Sequence, residues 1–304
     1  LIYYHNMDKG KAYWATYNTS LDDWTRLFLG DNPEDIMDQY YGYPIVWGDV
    51  PFQHAISVSG VLAATRNNRI GVNGISNTIK IMPVVMVASG DEHDKDVALA
   101  IRYAVDNGAK VINMSWGKDF SLHEDWVHDA IRYAAKKDVV LITGAGNDAK
   151  NIDIEENYPN DQMNSKEFVD NFIVVGANSY IINSKLNSSF SNYGKKNVDI
   201  FAPGNKMYTT EINNKYKFSR GTSLAAPIVS GVAALVRSYY PNLKAAEVKD
   251  ILMKSGVRYN IDVEIKQEDG TKKLVPFSEL SKSGSIVNAY NALVLAEQVS
   301  KSKI

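Results

Sequence analysis

The sequence predicts an α/β fold of three layers, with a mostly parallel sheet flanked by helices on both faces. Two observations carry this. Runs of β-branched and other apolar residues, such as VVLITGAG at 139–146, suit strands buried on both faces, and they alternate with apolar stripes at helical spacing. Strand, helix, strand, helix, strand in succession implies parallel βαβ units.

The series opens at KIMPVVMV (80–87). Val97, Ala100, Ile101, Ala104 and Val105 then fall at i, i+3, i+4, i+7 and i+8, and Asn107-Gly108 supplies the stop. KVINMSW (110–116) is the next strand. Trp126, Val127, Ala130, Ile131 and Ala134 repeat the helical spacing, and residues 139–146 repeat the strand. FIVVGANS (172–179) and VDIFAPG (198–204) read as further strands, reached through longer loops rich in Asn, Ser and Asp. In SRGTSLAAPIVSGVAALV (219–236) the residues after the first five are almost all apolar, which predicts a central buried helix with Pro227 in its first turn. EIKQEDGTKKLV (264–275) sets a polar turn between alternating segments and predicts a hairpin insertion over 260–278. Residues 1–50 are rich in Tyr and Trp without a clear period and read as irregular covering structure. The chain as a whole, 1–304, reads as a single domain with its core at 50–295.

Composition narrows the partners. A net charge of −2 without any Lys/Arg block argues against nucleic acid, and no apolar run approaches the roughly 18 residues of a membrane span. The absence of cysteine excludes disulfides, thiolate catalysis and Cys-ligated zinc. Leu1 in place of methionine is the start expected of a processed or truncated chain from which any signal or pro-segment has gone.

In open parallel sheets ligands bind beyond the carboxyl ends of the strands, here Ser115–Gly117, Gly144–Asn147 and Pro203-Gly204. Ser223 stands where the apolar helix begins, as a nucleophile or as a helix N-cap. Of the five histidines, His5 lies near the terminus and His93 in the charged run GDEHDKD. His123 and His128, in HEDWVH, resemble the zinc motif H-E-x-x-H with one residue too many. Five positions turn the second imidazole by roughly 140° and take it off the common face, so zinc is not expected there. His54 stands where a loop enters a small-residue helix, as a general base or as a satisfied cap or core residue. Asn147 offers two N–H donors at the sheet's carboxyl edge, as an oxyanion ligand or as a turn residue.

GTSLAAP at 221–227 resembles the nucleophile motif of the subtilisin-like serine peptidases. HAISVSGVLAA from His54 resembles that family's HGTHVAGIIAA, VINMSWG its VINMSLG, and GAGN its AAGN; SSFSNYG, VDIFAPG and GSIVNAYNAL match other landmarks in order over roughly residues 50–295. The resemblance implies a serine endopeptidase with Ser223 as nucleophile, His54 as general base and Asn147 as oxyanion donor beside the Ser223 N–H. It also implies that Ser115, Trp116 and Gly117 pair with an extended peptide as an added strand. Gly144, Ala145 and Gly146 would line the pocket for the side chain before the scissile bond. The substrate would be a peptide or protein. No cofactor is required for such catalysis; structural calcium occurs in the family, but no acidic loop here signals a metal site. An extracytoplasmic location follows from the resemblance alone.

The pattern departs at the third triad member. The family's aspartate ends an early, central strand in a motif such as VAVIDTG, and no such stretch is found here. Asp22, Asp23, Asp31, Asp35, Asp38 and Asp49 all sit in polar or aromatic contexts. The expectation is therefore a sheet missing its early central strand, with the aspartate on an upstream segment or a companion fragment. GDNPEDIMDQYYG resembles a subgroup with a long insertion before the histidine helix, and Ala55, Ile56 and Ser57 replace the Gly-Thr-His that follows the histidine in most members. Two other functions share the fold: a peptide-binding protein without activity, and a transpeptidase or macrocyclase. The N-x-S/T pattern at Asn18, Asn113 and Asn187 is too permissive to assign glycosylation.

Overall fold

A computed structural model describes residues 2–3, 30–39, 41, 53–87, 92–267 and 269–303. Its strands are β1 (Ile2–Tyr3), β2 (Val85–Val87), β3 (Val111–Met114), β4 (Val140–Gly144), β5 (Gln162–Met163), β6 (Lys166–Glu167), β7 (Phe172–Asn178), β8 (Ile200–Pro203), β9 (Met207–Glu211), β10 (Lys215–Ser219), β11 (Val257–Arg258), β12 (Asp262–Lys266), β13 (Lys272–Pro276) and β14 (Ser285–Ile286). Its helices are α1 (Gln53–Ala63), α2 (Asp94–Asp106), α3 (Glu124–Lys136), α4 (Thr222–Tyr239), α5 (Ala245–Ser255) and α6 (Ala289–Lys301).

Six strands form the central sheet in the order β11-β14-β8-β7-β4-β3. Only the β11–β14 pair is antiparallel. Side-chain alternation along each strand divides the core in two. Leu141, Phe172, Val174 and Phe201 face one side and pack with Val97, Ile101, Ala130 and Ile131 of α2 and α3. Val140, Ile142, Ile173 and Val175 face the other and pack with α1, α4, α5 and α6. The apolar runs of the sequence are continuous because both faces are covered.

Three expectations change. The strand predicted at 80–87 is a strand only at Val85–Val87 and lies outside the main sheet, pairing in parallel with Ile2–Tyr3. That pairing gives β structure within a segment read as irregular; the rest of 1–29, and with it His5, Asn18, Asp22 and Asp23, lies outside the described residues, as does Asp49. Third, α4 begins at Thr222, so Ser223 is the second helical residue and not the cap, and Pro227 is the sixth, in the second turn. The hairpin insertion is present as β12 and β13, rooted by buried Val263 and Phe277. Among the described residues β3 pairs on one side only, with β4, and no helix is long and apolar enough to cross a membrane.

The hairpin β9–β10, with Lys217 opposite Thr209, has no counterpart in the sequence reading. It clasps α1 through three hydrogen bonds: Ser57 Oγ to the Thr210 carbonyl (3.0 Å), Thr209 Oγ1 to the Ser57 carbonyl (2.7 Å) and Thr210 Oγ1 to the Ile56 carbonyl (2.7 Å). Val58 and Val61 on the same helix join Leu224, Ala225 and Ile228 of α4 in one core.

Candidate active site

The start of α4 is built around Asn147. Gly221 occupies the cap position with φ +144°, a conformation open to glycine and strained for other residues. With no side chain there to cap the helix, the Thr222 N–H donates to Asn147 Oδ1 at 2.8 Å, and Thr222 Oγ1 donates to the same oxygen at 3.2 Å. Because a backbone N–H only donates, the atom facing it is the carbonyl oxygen of Asn147, and the Nδ2 donors are turned to the other side. A methyl group placed on Gly221 would sit 3.6 Å from Asn147 Oδ1 and 3.7 Å from Ser223 Oγ, so the two side chains flank this glycine. The Leu224 N–H donates to the Gly221 carbonyl at 3.0 Å, and the first turn of α4 adds the positive end of the helix dipole.

Pro227 lacks the N–H that would bond the Ser223 carbonyl four residues earlier. That carbonyl accepts instead from Ser115 Oγ at 2.8 Å. Ser115 Oγ in turn accepts from Asn113 Nδ2 (2.8 Å), and Asn113 Oδ1 from Ser230 Oγ (2.9 Å), closing a path from β3 back to α4. Asn113 is therefore engaged through both ends of its amide. Beyond Ser115, Trp116 is half-buried and Gly117 exposed, and Lys118 exchanges backbone hydrogen bonds with Tyr158 (3.0 and 2.9 Å).

Gly144 is buried against Thr222, where a Cβ would meet Thr222 Oγ1 at 3.0 Å. Ala145 is fully buried, its N–H donating to the Val175 carbonyl. Gly146, at φ +104°, gives its N–H to Thr222 Oγ1 (3.2 Å), and a Cβ there would meet Asn192 Nδ2 at 2.2 Å. Asn192 is the positioning residue that sequence reasoning missed. Its Nδ2 donates to the Ala145 carbonyl (2.9 Å), while Oδ1 accepts from the N–H groups of Asp148 (2.9 Å) and Lys150 (3.0 Å), so one buried amide shapes the loop on both sides of Asn147. Its only signal was a place in SSFSNYG, without a role attached.

His54 is the second residue of α1 and is exposed, whereas Ala55 behind it is buried. Gln53 Nε2 donates to Glu211 Oε1 (2.9 Å), and Lys217 Nζ lies 3.7 Å from the same oxygen. Desolvation, and secondarily the charge of Lys217, hold the His54 imidazole below its ordinary pKa. At neutral pH this favours the uncharged ring over the imidazolium. Among the acids before His54, Asp31 pairs with buried Lys95, Asp35 accepts from the Met37 N–H (2.8 Å) and Asp38 from the Asn32 N–H (2.7 Å).

His93 is the N-cap of α2. His123 precedes α3, stacks on Trp126 and lies 3.1 Å from Glu34; His128 is buried against Phe168, with Nε2 3.3 Å from Glu124 Oε1. Among the described residues no group of three His, Asp or Glu side chains is placed to hold a metal ion.

Comparison with known proteins gives the family and the fold. The model of the subtilase family matches residues 50–279. A thermophilic serine proteinase of Bacillus sp. (strain AK1) is 33% identical over 241 residues, 79% of this chain and 52% of that protein. The cell wall-associated protease of Bacillus subtilis (strain 168) is 34% identical over 203 residues, 66% of this chain and 21% of that protein. The chain thus spans about half the length of the first relative and a fifth of the second. The crystal structure of a lanthipeptide protease, 26% identical, superposes with a TM-score of 0.64 over 84% of this chain and 78% of its own. With the family model covering most of its length and the same fold in a solved relative, the chain belongs to the subtilase family.

Proposed function

We propose that the protein is a serine endopeptidase acting through an acyl-enzyme. The observation that carries this is the Asn147 amide, whose oxygen Thr222 holds beside Gly221 and near Ser223 at the start of α4, leaving Nδ2 as the amide's donor. Ser223 Oγ attacks the scissile carbonyl while His54 takes its proton. The tetrahedral oxyanion is held by Asn147 Nδ2 and the Ser223 N–H. Collapse breaks the C–N bond, and His54 returns the proton to the departing amine. Water, deprotonated by the same imidazole, then attacks the ester and releases the acyl product and free Ser223. The peptide runs along Ser115, Trp116 and Gly117 as an added strand, with the residue before the scissile bond over Gly144, Ala145 and Gly146.

We place the triad aspartate on a strand outside the described residues, upstream or on a companion fragment. Two features support this: β2 and β3 are joined by α2 yet lie in different sheets, and β3 pairs on one side only among the described residues. Loss of such an aspartate costs roughly 10⁴ in turnover, so its segment governs the rate. No cofactor enters the mechanism. An extracytoplasmic location belongs to the same proposal, supported by the cell-wall association named for the Bacillus subtilis relative.

The second reading is binding without cleavage, favoured by the surroundings of His54 that disfavour imidazolium. A fluorophosphonate probe with mass mapping decides between them. Adduct at Ser223, absent in Ser223→Ala, supports the peptidase; no adduct, even with any co-purifying N-terminal segment present, overturns it. Ligated product exceeding hydrolysed product, with a peptide amine as acceptor, would instead indicate transfer.

A further inference from the structure

The hairpin β9–β10 carries a charge pattern that hydrolysis does not require. Residues 205–220 hold four cations, Lys206, Lys215, Lys217 and Arg220, against one acid, Glu211, in a chain whose net charge is −2. Two of these cations are linked to the proposed site, Lys217 through Glu211 and Gln53 and Arg220 by its place in the chain just before Gly221. Lys217 lies on β10 opposite Thr209, whose hydroxyl bonds α1, and its Nζ shares Glu211 Oε1 with Gln53, the residue before His54. Its side chain remains 28% exposed. Arg220 is exposed, three residues before Ser223, with its guanidinium 5.8 Å from the Phe190 ring centroid. Among the described residues it has no carboxylate partner.

Mechanism fixes which half of a substrate meets these groups. The amine that leaves takes its proton from His54, so the chain attached to that amine passes His54. The acyl half lies on the opposite side, along Ser115–Gly117, which is tied to the Ser223 carbonyl. A cation beside Gln53 and His54 therefore faces residues that follow the scissile bond. Glu211 offsets the charge of Lys217 in part, whereas Arg220 offers an uncompensated planar donor set suited to a carboxylate.

We propose that Lys217 and Arg220 form a cationic flank on the leaving-group side of Ser223 that selects substrates carrying Asp or Glu within the first three residues after the scissile bond. This rests on the peptidase reading for its geometry, and its test keeps the two apart. Matched fluorogenic peptides differing only by Glu or Lys at the second position after the cleaved bond are compared by kcat/KM with the full-length protein and any segment that co-purifies. The Glu peptide is expected to be preferred by about three- to tenfold, with the ratio falling toward one in 1 M salt and inverting in Arg220→Glu. A ratio reports selectivity even if the variant loses overall activity. The same peptides are titrated against Ser223→Ala, which reads affinity without cleavage. Cleavage with equal rates, or a ratio unmoved by Arg220→Glu and Lys217→Glu, overturns the proposal and leaves the peptidase reading standing. Preferential binding of the Glu peptide by Ser223→Ala, with no cleavage by the native serine, upholds the cationic flank and removes the peptidase reading.

Discussion

Ser115 Oγ donates a 2.8 Å hydrogen bond to the carbonyl oxygen of Ser223, in place of the helical bond that Pro227 withholds. The end of β3 and the start of α4 are thereby held together at the proposed nucleophile.

Ser115→Ala leaves that carbonyl without its partner, at a cost of about 1–2 kcal/mol. Thermal unfolding should show a loss of about 1.5–2 °C per kcal/mol for a chain of 304 residues. Pro227→Ala restores an N–H within reach of the same oxygen. The double variant should therefore lose about 1 kcal/mol less than the sum of the single changes, as a double-mutant cycle will read. Simple additivity would mean that the Ser115 bond does not substitute for the helical one.

Asn147 caps α4 through Thr222 and is the proposed oxyanion donor, and different substitutions separate the two. Asn147→Ala removes the acceptor for Thr222 and the oxyanion donors together, so both Tm and kcat should fall, the latter by about 10²–10³. Asn147→Asp keeps an acceptor for the Thr222 N–H and replaces the donors with charge. Its Tm should stay near that of the native protein while kcat falls at least as far. Retained turnover in Asn147→Asp would remove Asn147 from the oxyanion site.

Burial, and secondarily Lys217, lower the His54 pKa, so the proposed base stays unprotonated further into acid. Replacing Lys217 with Met removes one of the two causes and leaves Glu211 without its ammonium partner. The acid limb of the kcat/KM profile should move to higher pH. A limb that does not move, or moves down, would show that Lys217 does not act on the imidazole.

Asp161 is buried beside Glu167, Asp199, Lys249 and Lys282, and its Oδ2 has no hydrogen-bond partner. Burial raises its pKa from 3.8 to about 7, so between those values the folded chain holds a proton that the unfolded chain has released. Stability from this group is therefore greatest in acid, falls as pH rises through that window and is lost above pH 7. The Tm difference between Asp161→Asn and the native protein should shift in favour of Asn as pH goes from 4 to 8. A difference constant with pH would contradict the assignment.

The parallel sheet was legible because strands covered on both faces leave uninterrupted apolar runs, as at 139–146 and 172–179. Ser223 and Asn147 were legible through motifs beside such runs. Asn192 was not, since its role depends on carbonyl and N–H groups of residues 145–150, some 40 positions away, which no local pattern records. The hairpin β9–β10 escaped for a related reason. Its strands are short and polar, and their place is set by hydroxyl-to-carbonyl bonds with α1 instead of by an apolar face. Pro227 was misplaced because GTSLAAP does not reveal where the first helical turn begins; the Asn147 acceptor fixes that at Thr222.

The clasp of Ile56 and Ser57 to Thr209 and Thr210 joins positions 152 to 154 residues apart. During synthesis α1 emerges long before the hairpin that fastens it, and the proposed nucleophile follows only after that hairpin is complete. The proposed base on α1 is therefore unfastened until residues 207–219 have been made.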